Sequence, residues 1–398
     1  MFIYNNAYMR KIFFGLSLAA ILGLVSCIQD EPLNAECDIE QAVVVTDDAE
    51  AWLLNASEAV QDVPSADTTI VFYLREEFMD ENYAGWDRLK NVAINFRLTP
   101  GATITPENGS AHDFTQGGVY YHVTSEDGAW QRNYHVMFIP VQPLTVTYDF
   151  ENFRWESLER YCEWFEYSDQ GNEINMWATA NPGFAISRSS ATPEEYPTIP
   201  WENEAISGHS VKLETRDTGP FGVMMNMRIA AGNLFIGTFD VANALQDAMA
   251  ATRFGLPFNK KPLRFEGYYK FKPGEKFQNR TGVIQEGRVD DPDLYAVLYE
   301  NTDENGHSFT LQGDNVLTHP NIVALARVTD RVHDFDNWTH FDIPFEYYKE
   351  IDEERLKTYG YNLSVVFTSS IEGGAFCGAV GSTLLVDEVK VTCEDEDE

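Results

Sequence analysis

The residues with the clearest capacity for ligand chemistry lie along 263–271. Strict alternation there puts Leu263, Phe265, Tyr269 and Phe271 on one face, which reads as core, and Arg264, Glu266, Tyr268 and Lys270 on the other. That second face mixes charge with an aromatic ring. Sugars present C–H faces that stack on rings and hydroxyls that seek carboxylates, amides and guanidinium groups, so Arg264, Glu266 and Tyr268 are candidate sugar contacts. Trp177 and Asn181 stand beside Pro182-Gly183, and Trp201 follows Pro200. Turns of that kind tend to expose a tryptophan, so these three join the candidate set. The plain alternative for each is a core aromatic or a solvated strand face.

Motifs for bond-breaking chemistry are scarce. The sequence carries no P-loop, no H-E-x-x-H, no G-x-S-x-G and no G-x-G-x-x-G. Asp217-Thr218-Gly219 has the aspartic-protease triplet, but that chemistry needs two carboxylates sharing a proton and the triplet occurs once. It reads as a turn. A glycosidase needs two carboxylates flanking one bond, and 63 acidic residues give sequence no means of picking the pair.

Those candidates must be positioned by strands. From Cys37 to about Val141, short β-branched and aromatic runs at 69–74, 92–98, 119–124 and 133–138 are punctuated by turns such as Pro100-Gly101 and Glu126-Asp127-Gly128. Pro140 to Pro143 marks a boundary. Beyond it come longer runs at 144–150, 209–215, 263–271, 294–300, 308–311, 340–345, 363–367 and 384–391, with an alanine-rich stretch at 239–253 read as helix. The expected class is all-β: a smaller β-sandwich over 37–143, then a larger jelly-roll sandwich over 144–393 and an acidic tail at 394–398. In such a jelly roll the first and last strands meet, and Asp149, Glu151 and Asp387 there have the ligand types for a structural Ca²⁺. Ordinary exposed acids or turn ligands are the alternative.

The amino terminus reads as an address. Arg10-Lys11 is a cationic start, 12–25 is apolar, and Leu24-Val25-Ser26-Cys27 resembles the lipobox of bacterial lipoproteins. That resemblance implies cleavage after residue 26, acylation of Cys27, a lipid-anchored tether over 27–36 and an outer-membrane address facing the cell exterior. Cys27-Ile28-Gln29-Asp30-Glu31 is similar to the surface-export signal of Bacteroidetes lipoproteins. Removing residues 1–26 takes away only Arg10 and Lys11, leaving 26 basic against 63 acidic side chains, net −37. Such a field repels phosphate backbones, so nucleic acid is not an expected partner. Cys37, Cys162, Cys377 and Cys393 lack C-x-x-C spacing, which disfavours zinc ribbons; three disulfide pairings stay open.

Two longer resemblances complete the reading. The stretch 98–128 resembles an immunoglobulin-like module common in Bacteroidetes lipoproteins, which implies a spacer. Tyr148-Asp149-Phe150-Glu151-Asn152-Phe153, the segments at 176–183, 208–215 and 231–237, Lys261-Pro262-Leu263-Arg264-Phe265-Glu266-Gly267-Tyr268-Tyr269 and Leu385-Val386-Asp387-Glu388-Val389 occur in order. Together they resemble the carbohydrate metabolism domain of Bacteroidetes lipoproteins, whose fold is similar to galactose-binding-like jelly rolls. That implies a glycan or polysaccharide partner; the jelly-roll pattern, the missing nucleophile and metal motifs and the aromatics beside polar strand faces favour binding without cleavage. A glycoside hydrolase or lyase is the enzyme alternative, and an adhesin or other structural component is the third.

Overall fold

The computed structural model describes residues 33–394 apart from 66, 80–82, 169–170, 242–243 and 245–247. Cys27, its signal and nearly all of the acidic tail lie outside the described residues. No described helix is long and apolar enough to cross a membrane.

The chain is all-β, built as two sandwiches in series. In the first, strands Val60–Asp62, Ile39–Val44, Val92–Leu98 and Ala111–His112 form one sheet, in that order. Thr69–Leu74, Gln131–Pro140, Val119–Thr124 and Thr103–Thr105 form the other. Alternation decides which side chains enter: along Thr69–Leu74, Ile70, Phe72 and Leu74 are buried, and Phe72 stacks on Phe138 from the parallel strand beside it. The core from Ile39 to Phe138 is separate from the larger core that begins at Leu144. Nonpolar area leaves water twice, once in each sandwich, which lets each half have its own packed interior.

The second sandwich packs a nine-stranded sheet on a six-stranded one. The smaller sheet runs Thr198–Trp201, Ser210–Glu214, Thr383–Cys393, Pro262–Lys272, Thr339–Pro344, with Thr147–Tyr148 joining at Thr383–Cys393. The backbone of the larger sheet includes Asn233–Phe239, Tyr361–Thr368, Asp293–Glu300 and Ile322–Arg327, side by side. Phe265, Tyr269 and Phe271 face inward between the sheets with Leu294, Leu363 and Val386. Central strands such as Asp293–Glu300 are buried on both sides, because the outer face of the large sheet is itself covered by a second apolar layer around Phe235, Tyr295 and Tyr299.

Several local expectations are corrected. Leu263 does not join the core: a register shift between Pro262 and Arg264 turns it outward, leaving it 38% exposed. The alanine-rich stretch does not begin or end as helix. Phe239 closes one strand and Thr252–Phe254 forms another, so its flanks are spent on sheet pairing. The run at 308–311 enters strand only at its last residue, in Leu311–Gln312, which pairs with Thr252–Phe254. Of 144–150, only Thr147–Tyr148 is strand. Among the described residues the four cysteines are free thiols.

Candidate functional site

The positions read as sugar contacts divide into two groups. Trp177 and Asn181 are interior. Trp177 lies on a short strand paired to Asn233–Phe239, packs edge-on against Tyr148, and donates its indole N–H to Glu166 Oε1 at 3.0 Å. Asn181 is fully buried; its Nδ2 donates to the Thr198 carbonyl at 2.7 Å and its Oδ1 accepts from Thr198 N–H at 3.2 Å. The reason is local: Pro182-Gly183 is not an exposed turn but the first turn of the helix Asn181–Ser187, where proline's missing N–H costs nothing. These two residues are therefore structural, which corrects the exposed placement expected for them. Trp201 is half-buried, with Lys212 Nζ 4.5 Å above its ring.

Arg264, Glu266 and Tyr268 do share the outer face of the small sheet. Arg264 Nε donates to Asp342 Oδ1 at 2.5 Å, Glu266 Oε1 accepts from Thr392 Oγ1 at 3.1 Å, and the Tyr268 ring lies 4.9 Å from His340. The fourth member, Lys270, is nearly buried, bound to Glu204 and the Asp336 carbonyl beneath Trp338. Segments 202–208 and 334–338 thus cover the middle of this face, and the cleft described below does not reach it.

The three carboxylates read as calcium ligands do not converge. Asp387 is fully buried; Oδ2 accepts from Ile206 N–H at 2.6 Å and Ser207 N–H at 3.3 Å. Burial pushes its carboxyl up to about 6, against the pull of those amides. Glu151 binds His209 through the backbone N–H at 2.6 Å and Nδ1 at 2.8 Å, while Asp149 Oδ1 accepts from Glu151 N–H at 3.1 Å. Asp387 and Glu151 both serve donors of the segment 206–209, Asp149 serves Glu151 N–H, and the three do not gather as a ligand cluster. Among the described residues, the ligand-type atoms that do converge within 4.8 Å belong to Asp62, Asp303 and His307. Asp217 acts as a turn ligand, accepting from Gly219 N–H at 2.8 Å.

A cleft of the second sandwich lies on the outer face of the nine-stranded sheet, about 400 Å³ in volume. Cross-strand registry builds its floor: Phe235 opposes Val366, which opposes Tyr295, which opposes Arg327. One register step away stands a polar row, Asn233, Thr368 and Asp293. Walls come from loops and short helices. Phe221, at the end of the cleft, is on Gly219–Met224, and Phe376 holds φ +57°, a left-handed conformation that a bulky side chain seldom adopts. Met225, Met227 and Met249 fill the remaining wall.

Electrostatics at the cleft are set by paired charges. Arg327 grips Asp293 with two bonds, Nε to Oδ1 at 2.8 Å and Nη2 to Oδ2 at 2.7 Å, and Arg331 Nη2 adds a third at 3.1 Å. Glu372 is bound by Arg288, whose guanidinium lies 3.9 Å from the Phe277 ring centre. The loop bearing Glu372 and Phe376 is fastened from behind by Asp290, whose Oδ2 accepts from Ser370 Oγ at 2.7 Å, Ala379 N–H at 2.7 Å and Ser382 Oγ at 2.8 Å. Burial raises the Asp290 carboxyl above its ordinary range and the three donors offset part of that rise. The two carboxylates that line the cleft, Asp293 and Glu372, are each paired with arginine. Stacking and hydroxyl recognition are what the arrangement offers.

Sequence reasoning missed this cleft. Its floor residues read as buried strand, and its walls come from segments scattered between 180 and 376. The one local signal was Met224-Met225-Asn226-Met227, three methionines beside Phe221 in a stretch with no strand character.

Comparison with known proteins agrees with this architecture. Residues 149–392 match the family described as "Putative carbohydrate metabolism domain", and residues 81–137 match "SGBP, N-terminal", a surface glycan-binding protein domain. A crystal structure from Bacteroides thetaiotaomicron, titled as a putative glycoside hydrolase, is 37% identical over 92% of this chain and 99% of that one, with a TM-score of 0.65. A second so titled, from Bacteroides vulgatus, is 37% identical over 64% of this chain and 100% of that one, with a TM-score of 0.59. No curated protein matches. With both the family match and the likeness over 92% of the chain in hand, the chain belongs to the family described as "Putative carbohydrate metabolism domain".

Proposed function

We propose that this protein is a lipid-anchored surface protein that binds glycan in the cleft on its nine-stranded sheet, without cleaving it. The observation that carries the reading is the combination of an aromatic and methionine-lined cleft with a polar row, Asn233, Thr368 and Asp293, along one side. A pyranose has the same division, apolar C–H faces edged by hydroxyls. Membership in a carbohydrate-related family supports the ligand class, and the SGBP match supports a cell-surface address. The lipid anchor rests on the lipobox ending at Cys27.

Calorimetry against plant and host polysaccharides tests it, with the products analysed in the same samples. Binding in the micromolar to millimolar range is expected, about −8 to −4 kcal/mol, with no reducing sugar released. Phe221→Ala should weaken that binding, because Phe221 is the wall ring with an exposed surface.

The hydrolase reading has one specific observation in its favour: Asp293 and Glu372 both line the cleft. Sugar release that stops in Glu372→Gln would establish that reading and remove the binding-only one. Silence in both assays would point to a structural role at the cell surface.

A further inference from the structure

Most polar groups lining the cleft on the nine-stranded sheet have already committed their protons to the protein. Ser187 gives its proton to the Phe184 carbonyl at 3.0 Å, Thr252 to that of Ala248 at 3.1 Å, and Thr368 to that of Ser370 at 3.2 Å. Thr218 donates to the Met227 carbonyl, and Ser370 to Asp290 Oδ2 at 2.7 Å. Two donors are left over. Asn233 Oδ1 accepts from Ala180 N–H at 2.8 Å, while its Nδ2 has no partner among the described residues. Tyr295 is 4% exposed, and its hydroxyl has no hydrogen-bond partner among them either. A tyrosine so deeply set ordinarily finds one. Neither atom is sealed from the surface, so a ligand in the cleft can reach both. Asn233 pairs with Thr368 and Tyr295 with Val366 of the strand between them, which sets the two donors roughly 10 Å apart across the sheet.

What surrounds these donors narrows the ligand. Phe184, Phe221, Phe239, Phe376, Met227 and Met249 are side chains that give a sugar hydroxyl nothing in exchange for its water. An acyl substituent suits the same surroundings: one carbonyl that accepts, joined to an apolar methyl or aryl tail. The described lining contains no lysine, arginine or histidine, so a carboxylate would enter without a counter-charge. That sets aside fatty acids and acidic sugars.

We propose that the cleft selects neutral glycans carrying an acyl group, as an amide or an ester. The acyl tail packs on the phenylalanines and methionines, its carbonyl accepts from Asn233 Nδ2 or the Tyr295 hydroxyl, and the sugar hydroxyls stay toward solvent. This rests on the glycan reading of the cleft and names the class of glycan.

The test is calorimetric titration of the full chain with three matched pairs. They are N,N′-diacetylchitobiose against cellobiose, an acetylated xylo-oligosaccharide against the same material deacetylated by mild alkali, and a feruloylated arabinoxylan oligosaccharide against its saponified form. In at least one pair the acylated member should bind about tenfold or more tightly than its control, and the pair that does so separates amide from ester. Tyr295→Phe removes a hydroxyl that bonds nothing in the described protein, so its melting temperature should match the parent's. Asn233→Asp keeps the acceptor for Ala180 N–H and puts a carboxylate oxygen where the donor was. At least one of these variants should reduce the acyl preference to about threefold or less. Equal binding within all three pairs overturns the inference and leaves the glycan reading standing. A preference that persists in full in both variants also overturns it. Binding of some other polysaccharide with no heat from any of the pairs does the same. No binding by any glycan removes the underlying reading as well.

Discussion

Trp177 and Glu166 form a hydrogen-bonded pair inside the second sandwich, indole N–H to Oε1 at 3.0 Å, with both residues buried. Burial pushes the Glu166 carboxyl up to about 7, and the indole donor pulls back only part of that. The pair makes Trp177 a determinant of stability rather than of sugar affinity.

Trp177→Ala should therefore destabilise the protein by about 3–5 kcal/mol, the range for large-to-small changes in a packed core. Denaturant melts check it. Phe221→Ala, on the cleft wall, should leave the melt within about 1 kcal/mol of the parent while lowering glycan affinity. A Trp177→Ala protein as stable as the parent would contradict the packing described here.

Stability should fall as pH rises from about 5 to 8. Glu58 and Glu166 are both buried with carboxyls raised from the ordinary 4.5 to about 7, each chiefly by desolvation. The folded state thus holds two protons that the unfolded chain releases near pH 4.5, and their stabilising contribution is complete below that pH and lost through pH 7. Each group is worth about 3 kcal/mol across the window. Glu58→Gln keeps an acceptor for Tyr73 N–H, so it should raise the melting temperature at pH 8 and barely change it at pH 4.5. A flat pH profile in the parent would refute the assignment.

Asp293→Asn should cost about 3 kcal/mol or more, because it strands Arg327 and Arg331 at the cleft without their shared counter-charge. The loss should show in thermal melts without ligand. It should also reduce glycan binding, through Tyr295, whose ring lies 6.0 Å from the Arg327 guanidinium.

Cys27→Ala should abolish acylation and shift the protein from the membrane fraction to a soluble or unprocessed form. Mass spectrometry of the mature amino terminus and detergent partitioning read both effects. Acyl chains supply about 0.8 kcal/mol per buried methylene, so membrane association that survives the substitution would remove the anchor from the proposal.

The sequence by itself determined the class and which side chains of a strand share a face, since period-two alternation is a local property. Ile70, Phe72 and Leu74 had to share one face and Arg264, Glu266 and Tyr268 another, and they do. The ordered segments from Tyr148 to Val389 likewise carried the family, because they are read along the chain. What tertiary structure decided was exposure. Trp177 and Asn181 looked like turn residues until a helix began at Asn181 and Tyr148, Phe150 and Phe367 packed around Trp177. Lys270 lies on the polar face of its strand, yet distant segments bury it. The cleft was out of reach for the same reason. Ala180 and Phe376 lie far apart along the chain yet line one cleft, and no local pattern encodes which loop will cover which face.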